Sequence, residues 1–258
     1  MHFNLYRETA SCYNIRQEVE RLFDTILFDL DGTLLPLDTD EFTKIYFHEM
    51  TKSFQDMIGA DKLAHNIWAG TKAMVTNLEK KTNEKVFMDT FEKLIGGDLS
   101  AYQERFDRFY DDGFLKVRDF VEASPLVKGA VSVLKEKGYS LVIATNPLFP
   151  RKAIYHRIEW AGLDRSDFSY ISCYEQNCYC KPNLEFYTEV LEAIDKRPER
   201  CMMVGNDVEE DMISSRLGME TYLITNFLIH RSKGPIQCDH RGTYEDFYRF
   251  VCELPGLG

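Results

Sequence analysis

The stretch Thr25-Ile26-Leu27-Phe28-Asp29-Leu30-Asp31-Gly32-Thr33 decides how the chain is read. A short apolar run suited to a strand buried on both faces leads directly into two carboxylates two positions apart, followed by glycine. At that spacing the two acids project to the same side. In an open parallel sheet the carboxyl ends of the strands line the ligand crevice, so Asp29 and Asp31 stand where function places acids. Gly32 lets the backbone turn tightly and approach a ligand closely. Two adjacent acids could also merely cap a turn, but burying them without a cation is costly.

Working outward, four more short apolar runs read as buried strands: Ser140 to Ala144, Tyr170 to Cys173, Cys201 to Val204 and Thr221 to Ile224. Amphipathic helices fall between most of them. One covers about Leu126 to Lys137, behind Pro125 and stopped by Gly138, and another runs from Asn183 to about Ile194 after Pro182. This alternation predicts an α/β fold whose parallel sheet is wound with crossover helices. Between the first and second runs lie about 85 residues of helical periodicity, too long for a simple crossover. Asp38 with Glu41 opens the first of four helices there, and Ser100 with Gln103 opens the fourth. Four such stripes can bury one another as a small bundle.

Other residues supply the rest of a chemistry. A carboxylate attacking phosphorus needs a partner to protonate the leaving oxygen and later activate water, which an Asp-x-Asp pair provides. The run Gly205-Asn206-Asp207-Val208-Glu209-Glu210-Asp211 forms a second acidic loop after an apolar run, and its hard oxygens suit magnesium. Thr145 and Asn146 end the second strand, where a hydroxyl, an amide and backbone N–H groups can hold phosphoryl oxygens. Lys181 offers positive charge in an otherwise acidic protein.

The bulk numbers bound the partners. A formal charge of -11 disfavours a nucleic-acid backbone. No apolar run reaches the length of a membrane span, and the first 23 residues carry scattered charges unlike a signal peptide, so a cytoplasmic location is expected. Seven scattered cysteines suggest reduced thiols; Cys173, Cys178 and Cys180 lack the paired spacing of a zinc site. The oligomeric state is left open.

In order and spacing, D-L-D-G-T at Asp29 to Thr33, T-N at Thr145 and Asn146, K-P at Lys181 and Pro182, and G-N-D-V-E-E-D at Gly205 to Asp211 resemble the haloacid dehalogenase-like hydrolases. The resemblance implies a Rossmannoid catalytic core over 24–36 and 122–258 with a helical cap domain inserted at 37–121; before them, Ile15, Val19, Leu22 and Phe23 on one side of a helix from about Asn14 read as an N-terminal helical extension over 1–23. It also implies that Asp29 is the nucleophile forming an aspartyl-phosphate and that Asp31 is the general acid and base, giving its carbonyl to the metal. Thr145 would bind the transferring phosphoryl group, Lys181 would orient Asp29, and Asp207, with Asp211 nearby, would complete an Mg2+ site. The substrate would be a small phosphorylated metabolite. Asn206 departs from the commoner pattern, in which the acid directly follows the glycine; Asp207 is the favoured ligand, with Asp211 the alternative.

A dehalogenase would not need Asp31, because a halide leaves without a proton. A phosphonate hydrolase would want a cap lysine, for which Lys44, Lys52, Lys62 and Lys72 are generic candidates. A sugar-phosphate mutase keeps both acids and stays open. A catalytically silent regulatory module should have lost one of them. In the cap, Phe42, Tyr46, Trp68 and Tyr102 are candidate substrate contacts, although rings at helical spacing are more often core. Arg151 is a candidate contact for the leaving group.

Overall fold

A computed structural model describes residues 23–257. The N-terminal helix expected from Asn14 lies outside the described residues. Six parallel strands form one sheet in the order β3-β2-β1-β4-β5-β6, with β1 at Thr25–Phe28, β2 at Ser140–Ile143, β3 at Tyr170–Ile171, β4 at Cys201–Gly205, β5 at Glu220–Ile224 and β6 at His240–Gly242. The chain moves outward from β1 through β2 to β3 and then returns to place β4 against the other side of β1. That reversal opens a crevice at the carboxyl ends of β1 and β4.

The strands read as continuous apolar runs because both faces of the sheet are covered. Leu27, Val142 and Met203 point to one face, against Phe186 and Val190 of α7 (Leu184–Ala193). Their neighbours Ile26, Phe28, Ile143 and Val204 point to the other, the side of α5 (Pro125–Glu136), α6 (Arg151–Trp160) and α8 (Tyr244–Glu253). Pro125 sits at the first turn of α5 behind the Ser124 cap.

The last strand and helix fall in the tail after Phe227, where no element was expected. β6 has no apolar run, since as an edge strand it pairs only with β5. α8 carries the signal that could have revealed it: a Thr243–Asp246 capping box ahead of Tyr244, Phe247 and Val251 at helical spacing.

Between β1 and β2 the chain forms α1 (Thr39–Phe54), α2 (Ala60–Thr76), α3 (Asn83–Ile95), α4 (Ser100–Asp111) and a 3-10 segment, Gly113–Phe120. The Asp38 carboxylate caps α1 by accepting from the N–H groups of Asp40 and Glu41. The Ser100–Gln103 box does not form; Ser100 is inside α4 and donates instead to Asp98 from both its N–H and its hydroxyl. Aromatic stripes hold the insert together, with Phe106 against Phe54 and Phe91 at centroid distances of 4.8 and 5.3 Å. No helix among the described residues is long and apolar enough to cross a membrane.

Candidate active site

Asp29 is the residue after β1, and its position is fixed by the sheet: its N–H donates to Val204 O at 2.9 Å while Phe28 O accepts from Ala144 N. The loop then turns through Gly32 at φ +81, where a Cβ would stand 2.2 Å from the Asn206 amide. Only glycine satisfies both the left-handed backbone and that close approach. Asn206, the residue that interrupts the expected acidic motif, ties three segments together. Its Oδ1 accepts from the Thr33 hydroxyl at 3.2 Å, and its Nδ2 donates to Phe227 O at 2.6 Å. From the tail, the Tyr244 hydroxyl donates to Gly32 O at 2.8 Å and braces the same loop.

Lys181 is buried behind the acids. Its Nζ donates to Asp29 Oδ1 at 3.0 Å and to Asp211 Oδ1 at 2.6 Å. Burial alone would favour the neutral amine, but the carboxylates of Asp211 and Asp29 hold Lys181 well above the ordinary lysine range. Burial also pushes Asp211 up, to about 7. With the ammonium on one oxygen and the Asp207 N–H on the other at 2.9 Å, the ionised form of Asp211 is the one both donors stabilise. Gly205 makes this possible, because a Cβ there would meet the Asp211 carboxylate at 2.1 Å.

Asp31 is held differently. Its Oδ2 accepts from Nη1 of Arg157, a residue of α6 that is 1% exposed, while its Oδ1 is buried without a hydrogen-bond partner among the described residues. Burial, together with the Asp29 charge, pushes Asp31 up to about 6 against the pull of the guanidinium. Arg157 in turn stacks over the Phe149 ring at 4.5 Å.

Asp207 lies at the end of β4. Its Oδ1 accepts from the N–H groups of Glu209 and Glu210, and its Oδ2 accepts from Arg231 Nη1 at 2.5 Å. Asn146 joins the loops: its Nδ2 donates to Glu210 Oε2 at 3.0 Å and its Oδ1 accepts from Lys181 N–H at 3.2 Å.

Asp29, Asp31, Thr145, Asn146, Asp207 and Asp211 all line one cavity of ≈ 340 Å³ between the strand ends and the helical insert. Lys181 and Gly32 stand behind this surface and support it. From the insert, Phe42, Tyr46 and Trp68 line the cavity, whereas Tyr102 does not and stacks on Phe54. Arg151 also lies outside the lining and donates to Gln176, and none of Lys44, Lys52, Lys62 and Lys72 lines the cavity. Arg157, Arg231 and Tyr244 were not found from sequence. Each acts on a residue 24 or more positions away, and no local spacing marks them.

The donor chemistry fits magnesium. Among the described residues, no group of three or more His, Cys, Asp or Glu side chains is arranged to hold a metal ion. Two carboxylates, Asp29 and Asp207, end adjacent strands on one cavity, and hard oxygens of this kind with a backbone carbonyl and water suit the ion. Asp207 and Asp211 each have both carboxylate oxygens hydrogen-bonded, Asp207 to the Glu209 and Glu210 N–H groups and to Arg231, Asp211 to Lys181 and the Asp207 N–H. The six described cysteines are free thiols.

Comparison with known proteins places these features in a family. Residues 23–216 match the model of the haloacid dehalogenase-like hydrolases. The pyrophosphatase PpaX of Oceanobacillus iheyensis is 25% identical over 210 residues, covering 79% of this chain and 87% of the relative. A glyceraldehyde 3-phosphate phosphatase of Methanothermobacter thermautotrophicus is 26% identical over 219 residues, with coverages of 84% and 92%. Among solved structures, a hydrolase of Bacillus subtilis, YfnB, crystallised with magnesium, superposes with a TM-score of 0.57 at 20% identity, over 90% of this chain and 99% of its own.

Proposed function

Since the chain belongs to the haloacid dehalogenase-like hydrolases, we propose that it is a magnesium-dependent phosphatase of small phosphate esters, with Asp29 as nucleophile and Asp31 as general acid and base. The observation that carries this reading is the different handling of two acids on one cavity. Asp29 accepts a hydrogen bond from a buried ammonium, while Asp31 is pushed up to about 6 and keeps one oxygen free of partners. A carboxyl group raised in this way beside one held by a cation suits the role of acid, and its neighbour that of nucleophile.

In the first step an Asp29 oxygen attacks phosphorus as the ester P–O bond breaks, and the departing alkoxide takes the proton of Asp31. In the second, the Asp31 carboxylate takes a proton from water, whose oxygen attacks the same phosphorus. The aspartyl-phosphate bond breaks, inorganic phosphate leaves and both acids return to their starting state. Thr145 meets the phosphoryl group from the end of β2. Lys181 offsets the charge of Asp29 and Asp211, and Arg157 fixes the direction of the Asp31 carboxyl group. Asp29, Asp207 and the carbonyl of Asp31 would hold magnesium, with Asp211 bracing Lys181 and the Asp207 backbone. Bound there, the ion would neutralise charge on the phosphoryl oxygens, which is the main demand of phosphoryl transfer.

Phosphate release from p-nitrophenyl phosphate, with and without magnesium, tests the reading. Asp29→Asn and Asp207→Asn should each abolish it, the latter with partial recovery at high magnesium. Undiminished turnover by Asp29→Asn would end the proposal.

A further inference from the structure

The cavity divides sharply by charge. Every charged residue on its surface comes from the strand ends or from the loop carrying Arg231. Among the described residues, none that the helical insert contributes is charged. Those walls are mostly rings and alkyl groups, with Phe42 and Tyr46 stacked at 5.9 Å, Ile67 and Met88 on the same surface, and the uncharged hydroxyls of Thr39, Thr43 and Thr71 among them. The phenol groups of Tyr46 and Tyr110 hydrogen-bond to each other at 3.0 Å, and burial pushes Tyr110 up to about 12, so the wall hydroxyls are neutral. Trp68, 55% exposed and stacked on Phe47 at 5.5 Å, also lines the cavity, so the apolar surface extends into solvent. Arg231, the one lysine or arginine among the described lining residues, is paired with Asp207 on the floor, so a second phosphate or a carboxylate carried on the body of a substrate would bury its charge against an insert surface that has no cation.

Resting on the phosphatase reading above, we infer that the substrate is a phosphate monoester of an uncharged, largely apolar alcohol bearing a ring-sized body, which the helical insert receives among its aromatic side chains. The phosphoryl group stays on the charged floor, and the body of the alcohol fills the apolar part. A volume of ≈ 340 Å³ lies at the small end of the roughly 300–1,000 Å³ typical of small-molecule sites, which limits the body to a ring system of modest size. The polar substrates named for the two relatives, a pyrophosphate and a triose phosphate, are therefore disfavoured here.

Steady-state kinetics on the full chain with magnesium should compare benzyl phosphate with ethyl phosphate, 2-phosphoglycolate and pyrophosphate. Benzyl and ethyl alcohols are both alkyl leaving groups, so a preference reports the cavity rather than an easier departure. The expectation is at least a tenfold higher kcat/KM for benzyl phosphate than for the other three, with Trp68→Ala or Phe47→Ala reducing the benzyl-to-ethyl ratio several-fold. Equal or better turnover of 2-phosphoglycolate or pyrophosphate would overturn the inference and leave the phosphatase standing. A second measurement does not depend on turnover: benzylphosphonate should quench tryptophan fluorescence and bind at least tenfold more tightly than methylphosphonate, with the quench lost in Trp68→Ala. If no ester is cleaved but this difference is seen, the proposed reaction fails and the apolar site stands; if the two phosphonates bind alike, the apolar site fails.

Discussion

On the floor of the cavity, Asp29 and Asp211 each bond to Lys181 and Asp31 bonds to Arg157, whereas the walls supplied by α1 to α4 hold rings and no charge. Both regions bury their side chains, but by different physics. A buried charge is tolerated only with a partner in good geometry, so each floor residue depends on another at a defined distance. A buried ring needs only to fill space and exclude water, so the walls tolerate exchange of shape more readily than the floor tolerates exchange of charge. The floor therefore fixes one chemistry, and the walls are free to choose what undergoes it.

The contrast can be broken most strongly at Lys181. Lys181→Met leaves Asp29 and Asp211 buried without their shared cation, and urea unfolding should show a loss of about 3–5 kcal/mol along with loss of phosphate release. Asp31→Asn should lower kcat on an alkyl phosphate by roughly 10²–10⁴-fold. The loss on p-nitrophenyl phosphate should be smaller, because p-nitrophenolate leaves with little need of a proton; equal losses on both would remove Asp31 from the acid role.

In the walls, Gly70→Ala places a Cβ 2.5 Å from the Phe87 ring, and overpacking of this kind costs about 1–3 kcal/mol. Thermal unfolding should detect it, and the displaced ring should lower the preference for benzyl phosphate more than it lowers turnover of ethyl phosphate. The subtlest test is the pH profile. Asp31 must be protonated to act as acid, and it is pushed up to about 6, so kcat on an alkyl phosphate should fall as pH rises above that value. Arg157 pulls Asp31 downward, so Arg157→Gln should move this limb to higher pH, and Arg157→Lys, which keeps a cation, should move it less. An unmoved limb in Arg157→Gln would separate Arg157 from the proton transfer.

Much of this arrangement was legible along the chain. The central strands announced themselves because burial on both faces demands unbroken apolar runs, as Ile26 to Phe28 and Cys201 to Val204 show. The acids were legible because Asp29 and Asp31, and likewise Asp207 and Asp211, are close in sequence and each follows a strand. The place of Asn206 was not, because its partners Thr33 and Phe227 are 173 and 21 residues away. The rings of the insert were recognised as a helical stripe, but that stripe looks the same whether it faces another helix, as Tyr102 faces Phe54, or a cavity, as Tyr46 does.

Local patterns along the chain were thus enough to name the sheet, the helical insert and the acids at the strand ends, because strand burial, capping and motif spacing act over a few residues. Which cation meets which acid, and which rings face open space, arose when distant segments met: Arg157 reaches Asp31 across 126 residues and Tyr244 reaches Gly32 across 212. Pairing a buried charge is a demand on three-dimensional distance, and many partners along a chain could meet it until folding brings one within reach.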